Sequence, residues 1–142
     1  MTEAIVVGVD GSETARRAAE SAAAMATALG AKLHVVTAFS NDRAQVLGIA
    51  NDQMAFSEER NAEKVAREVA VALRSGQLEV DHSAVRGTPA QALIQQAEKH
   101  SALMIVVGSR RMRGLGRVLG SVANNVAHNA PCDVYIAKTD QP

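Results

Sequence analysis

Two short stretches hold the residues best suited to chemistry. The first is Asp10-Gly11-Ser12, directly after the apolar run Ile5–Val9 (IVVGV). The second is VVGSRRMRGLGRVLGSV, Val106 to Val122, with Gly108, Gly114, Gly116 and Gly120, the arginines Arg110, Arg111, Arg113 and Arg117, and Ser121. Glycines let a backbone approach an anion closely and present its N–H groups. A helix N-terminus adds unpaired donors and a partial positive charge. Arginine makes two-pronged contacts to phosphate oxygens. One reading is therefore a loop that holds phosphate. The other is that the glycines serve backbone turns and the arginines are solvated. Residue types alone leave both open.

The standard phosphate motifs are absent. A P-loop needs four residues between its first Gly and a Gly-Lys-Ser/Thr. Here five residues separate Gly114 from Gly120, and no lysine precedes Ser121. A dinucleotide fingerprint needs Gly-x-Gly-x-x-Gly after the first strand. Gly114-Leu115-Gly116 is followed by three residues before Gly120, and it comes late in the chain. Neither a P-loop NTPase nor a dinucleotide-dependent dehydrogenase is supported.

The elements around these stretches follow from apolar patterning. Ile5–Val9, Leu33–Phe39, Leu103–Val107 and Asp133–Lys138 read as strands, and Ile5–Val9 and Leu103–Val107 are continuous enough to be buried on both faces. Leu78–Val85 alternates apolar and polar residues, as a strand nearer a sheet edge does. Helices fall between them. Ser12 caps the first and Gly30 closes it, with Ala15, Ala18, Ala22, Met25, Ala26 and Leu29 at helical spacing. A second begins at Glu58 and stops at Ser75-Gly76. Ala90–His100 follows the Gly87-Thr88-Pro89 turn, cap and first-turn proline, and the last runs from Val122 to Ala130 before Pro131. Ser40–Ser57 is polar and irregular, and reads as a long surface loop or a short helix. Strict β-α alternation implies right-handed crossovers and a parallel sheet with helices on both faces. In such sheets ligands bind beyond the carboxyl ends of the strands. Those ends are where Asp10 and Gly108 fall.

Composition narrows the classes. The chain has 142 residues, which suits one domain over 1–142. Only 2% of residues are aromatic against 47% hydrophobic, so the core must be aliphatic and rich in alanine. Fifteen basic and fifteen acidic residues cancel, giving no global pull toward nucleic acid or an anionic membrane. Cys132 is the only cysteine, so no intramolecular disulfide can form, which fits a reducing compartment. The N-terminus has neither a basic region nor a long apolar region, and no apolar run approaches the roughly 18 residues of a membrane span. The expectation is a cytoplasmic protein.

Three segments resemble the universal stress protein family: VVGVDGSETARRA, GTPAQALIQQAEKHSALMIVVGS and LGSVANNVAHNAPCDVYIAK. The resemblance covers essentially the whole chain. It implies an α/β fold of the adenine-nucleotide alpha-hydrolase-like kind, a five-stranded parallel sheet of order 3-2-1-4-5. Many members of the family bind ATP through Gly, two residues, Gly, nine residues, Gly-Ser/Thr. Carried over, the first Gly is Gly108 and the last pair is Gly120-Ser121. The middle glycine is replaced by Arg111, and the eleven residues between Gly108 and Gly120 are one fewer than in that pattern. Gly114 and Gly116 could supply the flexibility lost. The resemblance also implies Asp10 at the nucleoside, with Gly11 beside it, the backbone near Ala38 at adenine, and apolar and main-chain contacts from Val9 and Val122. Arg110 and Arg111 belong to the phosphate end, and whether Arg111 blocks or holds the phosphates is open. Without the resemblance, Asp10 reads as a turn carboxylate bonding local N–H groups.

Other residues read as structural. His34, His82, His100 and His128 lack metal-ligand spacing, Cys132 reads as a small packed residue, and Ser12 as a cap. The last strand is an edge strand in the family order. Apolar and without proline or glycine, it invites pairing with a second copy through Val134, Tyr135, Ile136, Ala137 and Lys138. The function these features imply is a nucleotide-responsive regulator in stress adaptation that binds ATP, with or without Mg²⁺, and no catalysis beyond slow hydrolysis. The alternative is a dimeric stress protein that binds no ATP and works as an interaction module. The altered glycine spacing favours the alternative, while Asp10 and Gly120-Ser121 oppose it. Cleavage or transfer at the α-phosphate would need the Ser-Gly-Gly-x-Asp-Ser loop of related enzymes, which this sequence lacks.

Overall fold

The computed structural model describes residues 3–40, 52–109 and 120–139, and side chains from 57 onward in the second of these segments. The elements run β1 (Ala4–Gly8), α1 (Glu13–Leu29), β2 (Lys32–Phe39), α2 (Asp52–Leu73), β3 (Val80–Arg86), α3 (Pro89–Lys99), β4 (Met104–Gly108), α4 (Ser121–Asn129) and β5 (Asp133–Ala137). All strand pairs are parallel and the order is β3-β2-β1-β4-β5. This is the topology expected from the sequence.

Strand β1 lies at the centre because its sequence has no polar side chain to spare. Ala4, Ile5, Val6 and Val7 are all 0% exposed. Alternation along the strands divides the core. Ile5, Val7, Leu33, Val35 and Val106 face α1 and α2, meeting Ala18, Ala22, Ala26, Ala66 and Ala70. Val6, Val36, Ile105 and Val107 face α3 and α4, meeting Leu93, Ala97, Ala123 and Val126. Alanine stripes let the helices lie close to the sheet, replacing the aromatic bulk that the composition lacks.

The helix ends follow local chemistry. The Ser12 Oγ accepts the Ala15 N–H at 3.2 Å, and Gly30 closes α1 in the left-handed region at φ 67°. Thr88 and Gln91 form a reciprocal capping box at α3, with Pro89 in its first turn. Two boundaries differ from expectation. Helix α2 begins at Asp52, six residues before Glu58, so part of the segment read as loop or short helix is the first turns of a long one. Its polar Asp52 and Gln53 break the apolar period but not the helix, since an acid suits the positive end and glutamine is a good helix former. The remainder of that segment, 41–51, lies outside the described residues. Strand β3 begins at Val80 because Leu78 instead turns back on Ser75, with two backbone bonds of 3.3 Å.

One polar cluster lies in the core, away from the cavity described below. His34 is 3% exposed, its Nε2 lies 2.9 Å from the Ser83 Oγ, and its ring is 4.3 Å from that of His100. Burial, then the neighbouring His100, lowers the His34 pKa to about 4; the Asp81 carboxylate opposes this. An unfolded histidine titrates near 6.5. Between those values the unfolded chain binds the extra proton more readily, so stability is fully present above about pH 6.5 and declines toward pH 4. Melting temperatures should fall across that window, and more steeply than in His34→Gln. Equal slopes for the two proteins would show that His34 is not the group responsible.

Candidate functional site

The sheet reverses its winding direction between β1 and β4, and a cavity of about 210 Å³ opens at the carboxyl ends of these two strands. Its floor depends on two close approaches. At Gly8 a Cβ would lie 3.2 Å from the Leu93 Cδ2, so the glycine lets α3 settle against β1. At Gly108 a Cβ would lie 3.1 Å from the Thr139 Oγ1. Past β1, the Val9 N–H donates to the Val36 carbonyl at 2.8 Å and holds the chain against β2. Asp10 follows at the rim, where its Oδ1 accepts the Ser12 N–H at 2.9 Å.

The lining is mixed in character. Val36, Ala38, Pro89, Leu93 and Val122, from β2 and the starts of α3 and α4, are apolar members of the lining. Asp10, Thr14, Ser121 and Thr139 are the polar members of the same lining. Gly120 is the N-cap of α4 and offers no side-chain cap, while its carbonyl accepts the Asn124 N–H at 2.9 Å. The N–H groups of Ser121, Val122 and Ala123 therefore have no partner within the helix and carry its positive end at the cavity wall. A ligand with a flat apolar group and an anion would find both kinds of contact in this lining.

The structure brings together Val9, Asp10, Ala38, Gly108, Gly120, Ser121 and Val122 at this cavity, all singled out from sequence. Gly11 is not in the lining. It turns the chain at φ 88°, and the space beside it faces the Val65 side chain on α2. Arg110, Arg111 and Gly114 lie outside the described residues. Sequence reasoning missed Thr14, Val36, Leu93 and Thr139. Val36 was signalled by its place two residues before Ala38 on one strand face. Leu93 stood on the apolar stripe of its helix. Thr139 carried no signal, because it follows the last strand and has no motif around it. Among the described residues no group of three His, Cys, Asp or Glu side chains is placed to hold a metal ion.

The strand order, with a cavity at its switch point, defines an open, doubly wound α/β protein of the adenine-nucleotide alpha-hydrolase-like fold. The universal stress protein family profile matches residues 1–138, and the chain belongs to that family. A universal stress protein of Thermus aquaticus is 37% identical over 140 residues, covering 97% of this chain and all of the relative. A solved universal stress protein in complex with cAMP is 31% identical, with a TM-score of 0.67 and 98% of both chains covered. A universal stress protein from Archaeoglobus fulgidus is 25% identical with a TM-score of 0.75, covering 96% of this chain and 98% of that one.

Proposed function

We propose that this protein binds an adenine nucleotide in the β1/β4 cavity and acts as a nucleotide-responsive regulator in stress adaptation. The observation that carries this reading is the switch-point cavity, whose lining joins apolar residues such as Ala38 and Leu93 to the donor-rich start of α4. The cAMP complex of a relative with 31% identity supports it. The base would lie against Ala38 and Val122, the Asp10 carboxylate would accept from sugar hydroxyls, and Gly108 with the Ser121 end of α4 would receive phosphate. ATP is the proposed ligand, with any Mg²⁺ carried on its phosphates. The site would bind without rapid turnover, as a regulator does. Steady ATP hydrolysis should stay below about 1 s⁻¹, the low end of typical enzymes. A cytoplasmic location is part of the same proposal. Among the described residues, no helix is long and apolar enough to cross a membrane. Heat-denaturing purified protein and chromatographing the supernatant should release adenine nucleotide, or the stripped protein should take up ATP at or below millimolar concentration. Neither release nor uptake would overturn the reading.

A second reading, an interaction module, rests on β5. It is an edge strand, and Tyr135 and Ile136 are 47% and 36% exposed on its opposite faces. We propose that two copies pair along it, as a bare apolar edge invites. Ala137 is already buried in the core of its own chain, so Tyr135, Ile136 and Lys138 would meet the second copy. Sedimentation should give a dimer mass for the wild type and a monomer mass for Ile136→Lys. A monomeric wild type, or a dimeric variant, contradicts this interface.

A further inference from the structure

The cavity opens where β4 loses one of its neighbours. Strand β1 stays paired with β4 only as far as Val7 opposite Val106, while β5 stays paired through Gly108 opposite Ala137. The end of β4 is therefore held from the β5 side. Just beyond that register, the Ser109 Oγ accepts the Thr139 backbone N–H at 2.8 Å. Both residues are buried, Ser109 at 1% and Thr139 at 2% exposed, so solvent does not readily replace this bond. The packing beside it leaves no slack. A Cβ at Gly108 would lie 3.1 Å from the Thr139 Oγ1 and 3.8 Å from the Ala18 Cβ. A buried N–H deprived of its acceptor must shift to find another. Close-packed interiors transmit such a shift, and here it passes from Thr139 to Gly108. Gly108 lines the cavity, and Ser109 begins the connection that leads to Gly120 and Ser121.

We infer that Ser109 is a positioning residue: by holding the Thr139 N–H it fixes the Gly108 backbone at the cavity, and so sets the affinity for the phosphate end of the nucleotide. This rests on the nucleotide reading above, in which Gly108 and the start of α4 receive phosphate. Ser109 is not part of the lining and acts through Gly108.

The test is calorimetry with ATP and with adenosine on stripped wild type, Ser109→Ala, Ser109→Cys and Val80→Ala, with a melting curve for each. Alanine removes the acceptor, and cysteine keeps a weak one. ATP affinity should fall about tenfold in Ser109→Ala and by less in Ser109→Cys, while adenosine affinity stays within about twofold in both. Val80→Ala trims the buried core at β3, outside the cavity lining. It should lower the melting temperature without changing the ratio of the two affinities. That ratio is what a merely structural role would leave alone. If Ser109→Ala does not fold, Ser109→Cys decides on the same ratio. Undiminished ATP affinity in a folded Ser109 variant overturns the inference and leaves the nucleotide reading standing. An equal loss for ATP and adenosine, or the same change of ratio in Val80→Ala, overturns it too, by giving Ser109 a general packing role. Failure of the wild type to bind either ligand marks failure of the underlying reading instead.

Discussion

Replacing Asp10 by alanine should weaken adenine-nucleotide binding by about tenfold to a hundredfold while leaving the protein folded. The estimate comes from the roughly 1.5–3 kcal/mol that a hydrogen bond to a charged group contributes. Asp10 has two candidate roles, and the structure shows one directly, because its Oδ1 accepts the Ser12 N–H at 2.9 Å. That bond shapes the turn into α1. The other role, accepting from the sugar hydroxyls, is proposed from its position on the cavity wall. Asp10→Asn separates them. An amide oxygen still accepts from Ser12, so the turn and the melting temperature should persist, but the charge that strengthens a bond to the sugar is gone. Titration calorimetry should rank affinities as wild type, then Asn, then Ala. Equal affinity in all three would restrict Asp10 to the turn. Because Ser12 also caps α1 through the Ala15 N–H, a small loss of stability in the alanine variant is compatible with this account.

The largest loss of stability should come from Ile5→Ala. Ile5 is 0% exposed in the central strand, paired with Leu33 on one side and Met104 on the other. Core isoleucine-to-alanine changes cost about 2–5 kcal/mol, and the value within that range depends on how well neighbours collapse into the gap. Here the facing helix offers Ala18, Ala19, Ala22 and Ala26. Alanine has no rotamer to swing into a void, so a cost in the upper half of the range is expected. Against the 5–15 kcal/mol typical of a whole domain, that removes a large share of the margin. Thermal unfolding should show a melting temperature lowered by about 12–17 °C. Val71→Ala, at a site 56% exposed, is the control and should change stability by no more than about 0.5 kcal/mol. Comparable effects at the two positions would contradict the division of the core into alanine-lined faces.

Much of this arrangement was legible in the residues themselves. The runs IVVGV and LMIVV read as buried strands because they are short and rich in β-branched residues, and their β-α spacing pointed to parallel pairing. Gly108 and Gly120-Ser121 pointed to the correct ends of their elements because glycine at a strand end and an N-cap serine or glycine have local physical reasons. Asp52 was less legible. The polar pair Asp52-Gln53 and the irregular spacing before Glu58 show no clear helical period, so the start of α2 was hidden in what read as a loop or short helix. Gly11 and Asp10 are adjacent in sequence, yet only Asp10 lines the cavity, while Gly11 takes the positive φ of the turn into α1 and its open side faces Val65. Thr139 was invisible for a different reason. Its place beside Gly108 depends on β4 and β5 ending in register, Gly108 opposite Ala137, and register is a property of the assembled sheet.

The central claim is that the β1/β4 cavity holds an adenine nucleotide, and it is tested most directly by calorimetric titration of stripped wild-type protein and of Gly120→Val with ATP. Gly120 has φ −62° and ψ 158°, a backbone that valine adopts readily, so the variant should keep its fold. The account predicts one site per wild-type chain, saturating at or below millimolar ATP, and binding by the variant weakened at least tenfold. No binding by the wild type, or undiminished binding by a folded Gly120→Val, would contradict it.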